Sequence, residues 1–490
     1  MVNLNIISNL NLKNLDFSNI EWPKFDLSKL KWNKMPEMRI GDTVVKLPII
    51  QGGMGVGISL SGLASAVANE GGIGVIAANS IGMLDPEYYA KNRDANAIAL
   101  RKEIRKAREK TSGIIGVNIM IAVNDFNELL TVAMEEKADI VFLGAGLPIK
   151  GIPVEDLRAS GTKVAPIVSS ARAARVIFKS WAKKYNDIPD AVVVEGPKAG
   201  GHLGFKVDQI EDPEFSLENI LPEVVAEIKT YEKIFKRTIP VIAAGGVYTG
   251  SDIHDLFKLG ANGVQMGTRF VATDECDADI RFKQAYVSCK EEDITIIKSP
   301  VGMPGRAIKS QFLNDAAIGK EKLRCAWKCL KSCDIKTSRY CISLALDNAR
   351  KGILEKGFAF AGSNAYRVDK IFSVKDLLQE LQKQYLTTAE SSTSSLKSEY
   401  EKALEKLVSL KEEYSAALST AYSQLKDEYE KGVERRAATL RKDYPHTLEK
   451  INSLKKDYLK MVDKASILKK ELLEVIERSS LTVRLTPEMA

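Results

Sequence analysis

The stretch DAVVVEGPKAGGHLGF, residues 190–205, decides the fold. Ala191-Val192-Val193-Val194 is an unbroken apolar run, the pattern of a parallel strand buried on both faces. Glu195 ends the run, and Gly200 and Gly201 follow, two residues without a Cβ where the backbone can approach a ligand closely. His202, one of three histidines in the chain, then stands at the mouth of the strand with a side chain that titrates near neutrality. Taken alone, the stretch is equally a surface turn after a strand. The surrounding sequence separates the two readings.

Seven more apolar runs share this texture, at 47–51, 73–77, 113–120, 139–143, 163–168, 239–244 and 263–266, with amphipathic helical patterns between most of them. Eight β-then-α units predict an α/β fold, a closed (β/α)₈ TIM barrel and not an open doubly wound sheet. The sharpest motifs fall just after strands: GGMG after the first, AGGH after the sixth, GGVYTG after the seventh and GTRF after the eighth. Barrel enzymes place their chemistry at that C-terminal face, so one site would unite them. Gly245-Gly246 and Gly267-Thr268 have the make-up of phosphate holders, bare backbone N–H groups beside a helix N-terminus, in the two units where barrels commonly bind phosphate.

In order along the chain, PIIQGGMG (48–55), GVNIM (116–120), GAGLP (144–148), EGPKAGGHLG (195–204), IPVIAAGGV (239–247), GVQMGTRF (263–270) and GRAIKSQ (305–311) resemble the flavin-dependent nitronate monooxygenase family, once called 2-nitropropane dioxygenases. Flavin-dependent enoyl-(acyl carrier protein) reductases are its close relatives. The resemblance implies an FMN-bound barrel. Gln51, Gly52, Gly53 and Met54 would lie along the flavin ring, Asn118 would hydrogen-bond it, and Glu195, Gly200, Gly201 and Gln265 would line the site. Gly245, Gly246, Gly267 and Thr268 would hold the phosphate. His202 matches the family's catalytic histidine.

Three functions stay open at this point. One is nitronate oxidation by oxygen to a carbonyl compound and nitrite, with His202 taking an α-proton or steadying the anion. Another is enoyl thioester reduction fed by NAD(P)H. The third belongs to a different class, an assembly component in which the flavin barrel is carried by extensions outside the family core.

Those extensions set the domain plan. Residues 1–37 form an arm in which apolar residues recur every five places, Leu10, Leu15, Ile20, Phe25, Leu30 and Met35, a step that neither a helix nor a strand produces. Residues 38–385 form the barrel, with a mainly helical lobe at about 271–355 expected over the flavin. Within it, SPVGMPGR (299–306) has the composition of a loop that either covers substrate or merely connects.

The lobe also carries Cys325, Cys329, Cys333 and Cys341. The first three have the spacing of one helix face, and four thiolates there would suit zinc or an iron–sulfur cluster; plain reduced thiols are the other reading. TTAESSTSS within residues 386–395 reads as a linker. Residues 396–490 carry a Leu-x-x-x-Tyr repeat at steps of 14 or 15, the mark of long amphipathic helices that associate with each other or with a protein partner, broken at Pro445.

A net charge of +7 spread over 490 residues, without a basic block, argues against nucleic acid. Six cysteines, no secretion-signal pattern and no bilayer-length apolar run are the expectation for a cytoplasmic protein acting on a small molecule.

Overall fold

In the computed structural model of the chain, residues 34–319 and 338–430 are described, together with 325, 329–331, 333, 336 and parts of 446–467. Eight parallel strands close on themselves: β1 (Ile49–Gln51), β2 (Ile73–Ala77), β3 (Ile114–Met120), β4 (Ile140–Gly144), β5 (Lys163–Val168), β6 (Val192–Glu195), β7 (Val241–Ala244) and β8 (Gly263–Met266), with β8 returning to β1. The helices that follow them in turn are α1 (Ser61–Asn69), α2 (Ala95–Lys110), α3 (Phe126–Glu135), α4 (Val154–Ser160), α5 (Ala171–Tyr185), α6 (Leu217–Phe235), α7 (Gly250–Lys258) and α8 (Thr268–Val271). The apolar runs at 73–77, 163–168 and 263–266 coincide with β2, β5 and β8. β7 starts later than its run because Pro240 has no N–H to give to a ladder.

Covered by helices outside and by each other inside, the strands are buried on both faces, and β2, β4 and β7 are buried at every residue. The interior is one apolar cluster in which Ile50, Val75, Phe142, Val193 and Ile242 meet. Met38, Ile40 and Val45 join it from an antiparallel hairpin, Met38–Ile40 with Thr43–Val45. The hairpin closes the N-terminal end of the barrel, where Asp42 pairs at 2.7 Å with Lys163, the first residue of β5. With that end plugged, the C-terminal face is left for ligands.

After β8 come α9 (Ile280–Ser288), β9 (Ile294–Lys298), β10 (Pro304–Ile308), α10 (Gln311–Ala317) and α11 (Ile342–Arg350). Three of these elements are helices, as expected of the lobe; the hairpin is an addition to them, formed because ITIIK is rich in β-branched residues and the Pro/Gly turn after it folds the chain back. β10 also pairs with the two residues Gly201–His202, so the lobe is stitched to the central stretch.

The expected linker at 386–395 holds the boundary between the chain's two compact units, but it is helical and not an irregular stretch. Residues 386–395 lie inside one continuous helix, α12 (Val374–Glu430). Their hydroxyls do not break it because they bond back along it: Thr388 Oγ1 donates to the Gln384 carbonyl and Thr393 Oγ1 to that of Ala389. Met35–Thr388 form one compact unit, and Ala389 begins a second. In the first, Leu377, Leu378, Leu381 and Tyr385 are buried. In the second, Tyr400, Ala403, Leu407 and Leu410 form a buried stripe at helical spacing. Repeats at 396–400, 410–414 and 425–429 belong to α12. The five-residue period before Lys34 and the break at Pro445 lie outside the described residues. Among the described residues, no helix is long and apolar enough to cross a membrane.

Candidate active site

A cleft of about 290 Å³ opens at the C-terminal ends of the strands. It gathers Gly52, Gly53 and Met54 after β1, Asn118 on β3, Glu195, Gly200, Gly201 and His202 from the central stretch, Gly245 and Gly246 after β7, and Gln265, Gly267 and Thr268 around the end of β8. Of the residues expected there, only Gln51 is not in the lining. Fully buried, it donates to the Gly52 carbonyl and accepts from the Val75 N–H at 3.0 Å, so it ties β1 to β2 behind the cleft and sets the course of Gly52.

The glycines divide by what a Cβ would meet. At Gly53 it would lie 2.3 Å from the Cβ of Asn118, and at Gly200 2.6 Å from the backbone of Ala361, so these two serve packing. At Gly201 it would meet nothing within 4 Å, and at Gly267 only Met54, at 3.6 Å; both look into open space. Gly246 has φ +96, a conformation that other L residues adopt only with strain.

This geometry is the test of fit for a phosphorylated flavin. Among the described residues, the N–H groups of Gly246 and Val247 find no acceptor, and both residues line the cleft. The Tyr248 hydroxyl and the Asn79 Oδ1 are buried there without partners. Orphaned donors around a glycine cradle at one end suit an anion, and unpaired polar groups along a long apolar-walled cleft suit a polar ring system. The residues fit the group.

The phosphate end has parts that the sequence reading missed. Loop 361–364 closes it: the Gly362 N–H donates to Thr268 Oγ1 at 3.0 Å, the Ser363 N–H to the Lys198 carbonyl, and Asn364 Nδ2 to the Gly246 carbonyl at 2.6 Å. Arg269 and Arg367 stand over the Tyr248 ring at 4.5 and 4.2 Å from its centroid. Lys198 also lines the cleft, and its exposed ammonium adds positive charge at that end. The only signal in the sequence was the small-residue run Ala361-Gly362-Ser363-Asn364, which carried no motif.

Two titratable groups define the other end. Glu195 finishes β6 half-buried in the wall of the cleft, and burial pushes its carboxyl up to about 7. His202 stands edge-on to Phe360, with ring centroids 5.1 Å apart, and its Nε2 lies 2.7 Å from Ser299 Oγ. Burial pushes the imidazole down to about 4, so it is neutral at ordinary pH. Tyr286 from α9 donates to the Phe360 carbonyl and holds that ring in place.

The SPVGMPG turn reaches His202 through Ser299 but does not line the cleft. Arg306 is buried and donates to the carbonyls of Pro197 and Ala199, which clamps the central stretch from behind. The cover comes instead from Leu330 and from Ile342, Ser343 and Leu346 of α11.

The four lobe cysteines do not form the expected set. Cys325, Cys329 and Cys333 lie outside helices, and Cys341 precedes α11. Cys329 contacts Ser343 Oγ at 3.3 Å, burial raises Cys341 to about 11, and none of the six cysteines is in a disulfide. Among the described residues, no three His, Cys, Asp or Glu are arranged to hold a metal. Burial raises Cys329 as well, and the nearby Cys325 and Cys333 add to the rise.

Comparison with known proteins matches residues 37–384 to the family described as nitronate monooxygenase. A Rhodococcus jostii (3aS,4S,5R,7aS)-5-hydroxy-7a-methyl-1-oxo-octahydro-1H-indene-4-carboxyl-CoA dehydrogenase is 28% identical over 270 residues, 55% of this chain and 65% of that protein, so the chain spans just under two thirds of it. A probable nitronate monooxygenase of Staphylococcus haemolyticus is 28% identical over 306 residues, 55% of this chain and 77% of its own. Among solved structures, FabK from Thermotoga maritima is 29% identical with a TM-score of 0.56, covering 72% of this chain and 96% of its own. A nitroalkane oxidase from Streptomyces ansochromogenes shares the fold, with a TM-score of 0.55 at 22% identity over 70% of this chain and 97% of its own.

Proposed function

The chain belongs to the nitronate monooxygenase family, and from that premise we propose that it is an FMN-dependent oxidoreductase that oxidises alkyl nitronates with oxygen to carbonyl compounds and nitrite. The observation that carries this reading is His202, a neutral imidazole enclosed at the open end of a cleft whose other end is built for an anion. Bound FMN supplies the redox chemistry, accepting electrons from the substrate and returning them to oxygen. The protein supplies position and charge. The free N–H groups of Gly246 and Val247, with Lys198 beside them, would hold the phosphate, and Asn118, Gln265 and the backbone of Gly52–Met54 would flank the ring.

His202 takes the α-proton of a neutral nitroalkane. A histidine that is neutral above about pH 4 has a lone pair free for that proton but is a weak base, because burial disfavours its charged form; Phe360 packs edge-on against it. Glu195, held partly protonated near neutrality, leaves the cleft without a fixed negative charge to repel the resulting anion. The apolar wall of Leu330, Ile342 and Leu346 takes the alkyl part of the substrate.

The test is product analysis: purified protein given a nitronate in air should release nitrite and the matching carbonyl compound. The likeness to FabK from Thermotoga maritima favours a second reading, an NAD(P)H-dependent enoyl-(acyl carrier protein) reductase. The Leu-x-x-x-Tyr repeat supports self-association or a protein partner through residues 396–490, which sizing of the full chain would test, and a cytoplasmic setting accords with cysteines that form no disulfide.

A further inference from the structure

We propose that Ser299 is a positioning residue: it holds the His202 ring by Nε2, so that Nδ1 is the nitrogen that exchanges a proton with substrate. The inference rests on the reading of His202 as the base.

Both partners are fixed by one small sheet. His202 pairs with Gly305 of β10, and the Leu203 N–H donates to the Pro304 carbonyl. Ser299 closes the turn between β9 and β10, its N–H donating to the Met303 carbonyl. Backbone pairing thus brings the Ser299 Oγ to 2.7 Å from Nε2 before any side chain adjusts. Ser299 is only 3% exposed, and apart from the imidazole its hydroxyl meets the Val301 N–H, at 3.4 Å.

A neutral imidazole has one N–H and one lone pair. The Val301 N–H lies 3.4 Å from the Ser299 oxygen, at the far limit of a hydrogen bond, and the contact to Nε2 fits a donor on either side; the proposal assigns the proton to Nε2. The lone pair then falls on Nδ1, for which the described residues offer no partner. When Nδ1 takes a proton, the Nε2–H bond is kept, so the ring gains its charge without turning. Serine brings no negative charge to that bond, unlike the carboxylate that often orients a catalytic histidine, so the imidazole stays a weak base.

The charged and titratable groups around the ring do not take over this role. Glu195 and Tyr286 line the same cleft, Lys198 lies toward the phosphate end, and Arg306 on β10 turns away to Pro197, Ala199 and Glu211. Lys298 on β9 is exposed, and the turn at 299–303 and the strip around Phe360 carry no ionisable side chain.

The test uses flavin-loaded, full-length protein with ¹⁵N-labelled histidine. Three histidines give a simple spectrum, and His202→Ala identifies the signal of interest. The wild type should show the Nε2–H tautomer at His202, and Ser299→Ala a mixture. Ser299→Ala should lower kcat for a neutral nitroalkane about tenfold with KM and flavin content unchanged, and Ser299→Thr should restore it. Ser299→Asp should move the acid limb of kcat/KM upward by one pH unit or more, because a carboxylate would favour the charged ring. An Nδ1–H tautomer in the wild type, or Ser299→Ala with wild-type kcat and pH profile, overturns the proposal. If His202→Ala itself is fully active, the failure lies in the reading of His202 as base and not in the role of Ser299.

Discussion

Replacing Glu195 by Gln should stabilise the flavin-free protein at alkaline pH relative to acid pH. The Glu195 carboxyl is raised from 4.5 to about 7 by burial. Below the lower value it is protonated in the folded and the unfolded chain and costs nothing. Above the higher value it is ionised in both, and the folded state carries the whole cost of enclosing the charge. The raised value therefore means stability that is present in acid and lost as pH rises through about 7, worth about 3 kcal/mol. Glutamine never ionises, so the variant escapes that loss, while burial of its amide adds the same offset at every pH. The quantity to measure is the stability gap between variant and wild type, from urea unfolding at about pH 4 and about pH 8.5. Trp181, fully buried in the barrel, reports the transition. The gap should shift by about 3 kcal/mol in favour of the variant at the higher pH. An unchanged gap would mean that the carboxyl is solvated, and the account of this end of the cleft would fail.

Other perturbations test other parts. His202→Ala should keep flavin but lose on the order of 10²–10⁴-fold in turnover of neutral nitroalkanes, with preformed nitronates less affected; in the wild type, kcat/KM should hold down to about pH 5 and fall as pH drops through about 4, because a histidine with a lowered value charges only there. Gly267→Asp should purify colourless, its carboxylate projecting into the cleft and opposing a phosphate, and Gly267→Ala should weaken flavin binding less; absorbance at flavin wavelengths decides. Ending the chain before Val374 should destroy the barrel's stability, because Leu377, Leu378, Leu381 and Tyr385 are buried, at about 1.5–3 kcal/mol each, and Glu380 and Gln384 bond Arg269 and Gly250 beside the phosphate loops. Ending it after residue 395 should leave flavin binding intact, as flavin content of the two truncations would report.

The barrel was legible because its signals are local. A parallel strand buried on both faces must be a short apolar run, and a loop that cradles an anion must be rich in glycine, so β1–β8 and the turns after β6, β7 and β8 could be read from residue type alone. What escaped depends on long-range contact. Ser299 meets His202 across 97 residues, and Asn364 meets Gly246 across 118. Gln51 has the composition of a site residue, yet its amide is spent on joining two strands. The helical conformation of 386–395 escaped the reading because serine and threonine disfavour helices only weakly, and a helix already nucleated on both sides overrides them.

The most direct test of the central claim is anaerobic mixing of the purified chain with substrate, following the flavin absorbance in a stopped-flow instrument. The account predicts a yellow protein with FMN bound, bleached rapidly by an alkyl nitronate and slowly or not at all by NADH or NADPH, with colour and nitrite returning on admission of air. Rapid bleaching by NAD(P)H together with no response to nitronates would contradict it, and would place the chain with the enoyl reductases.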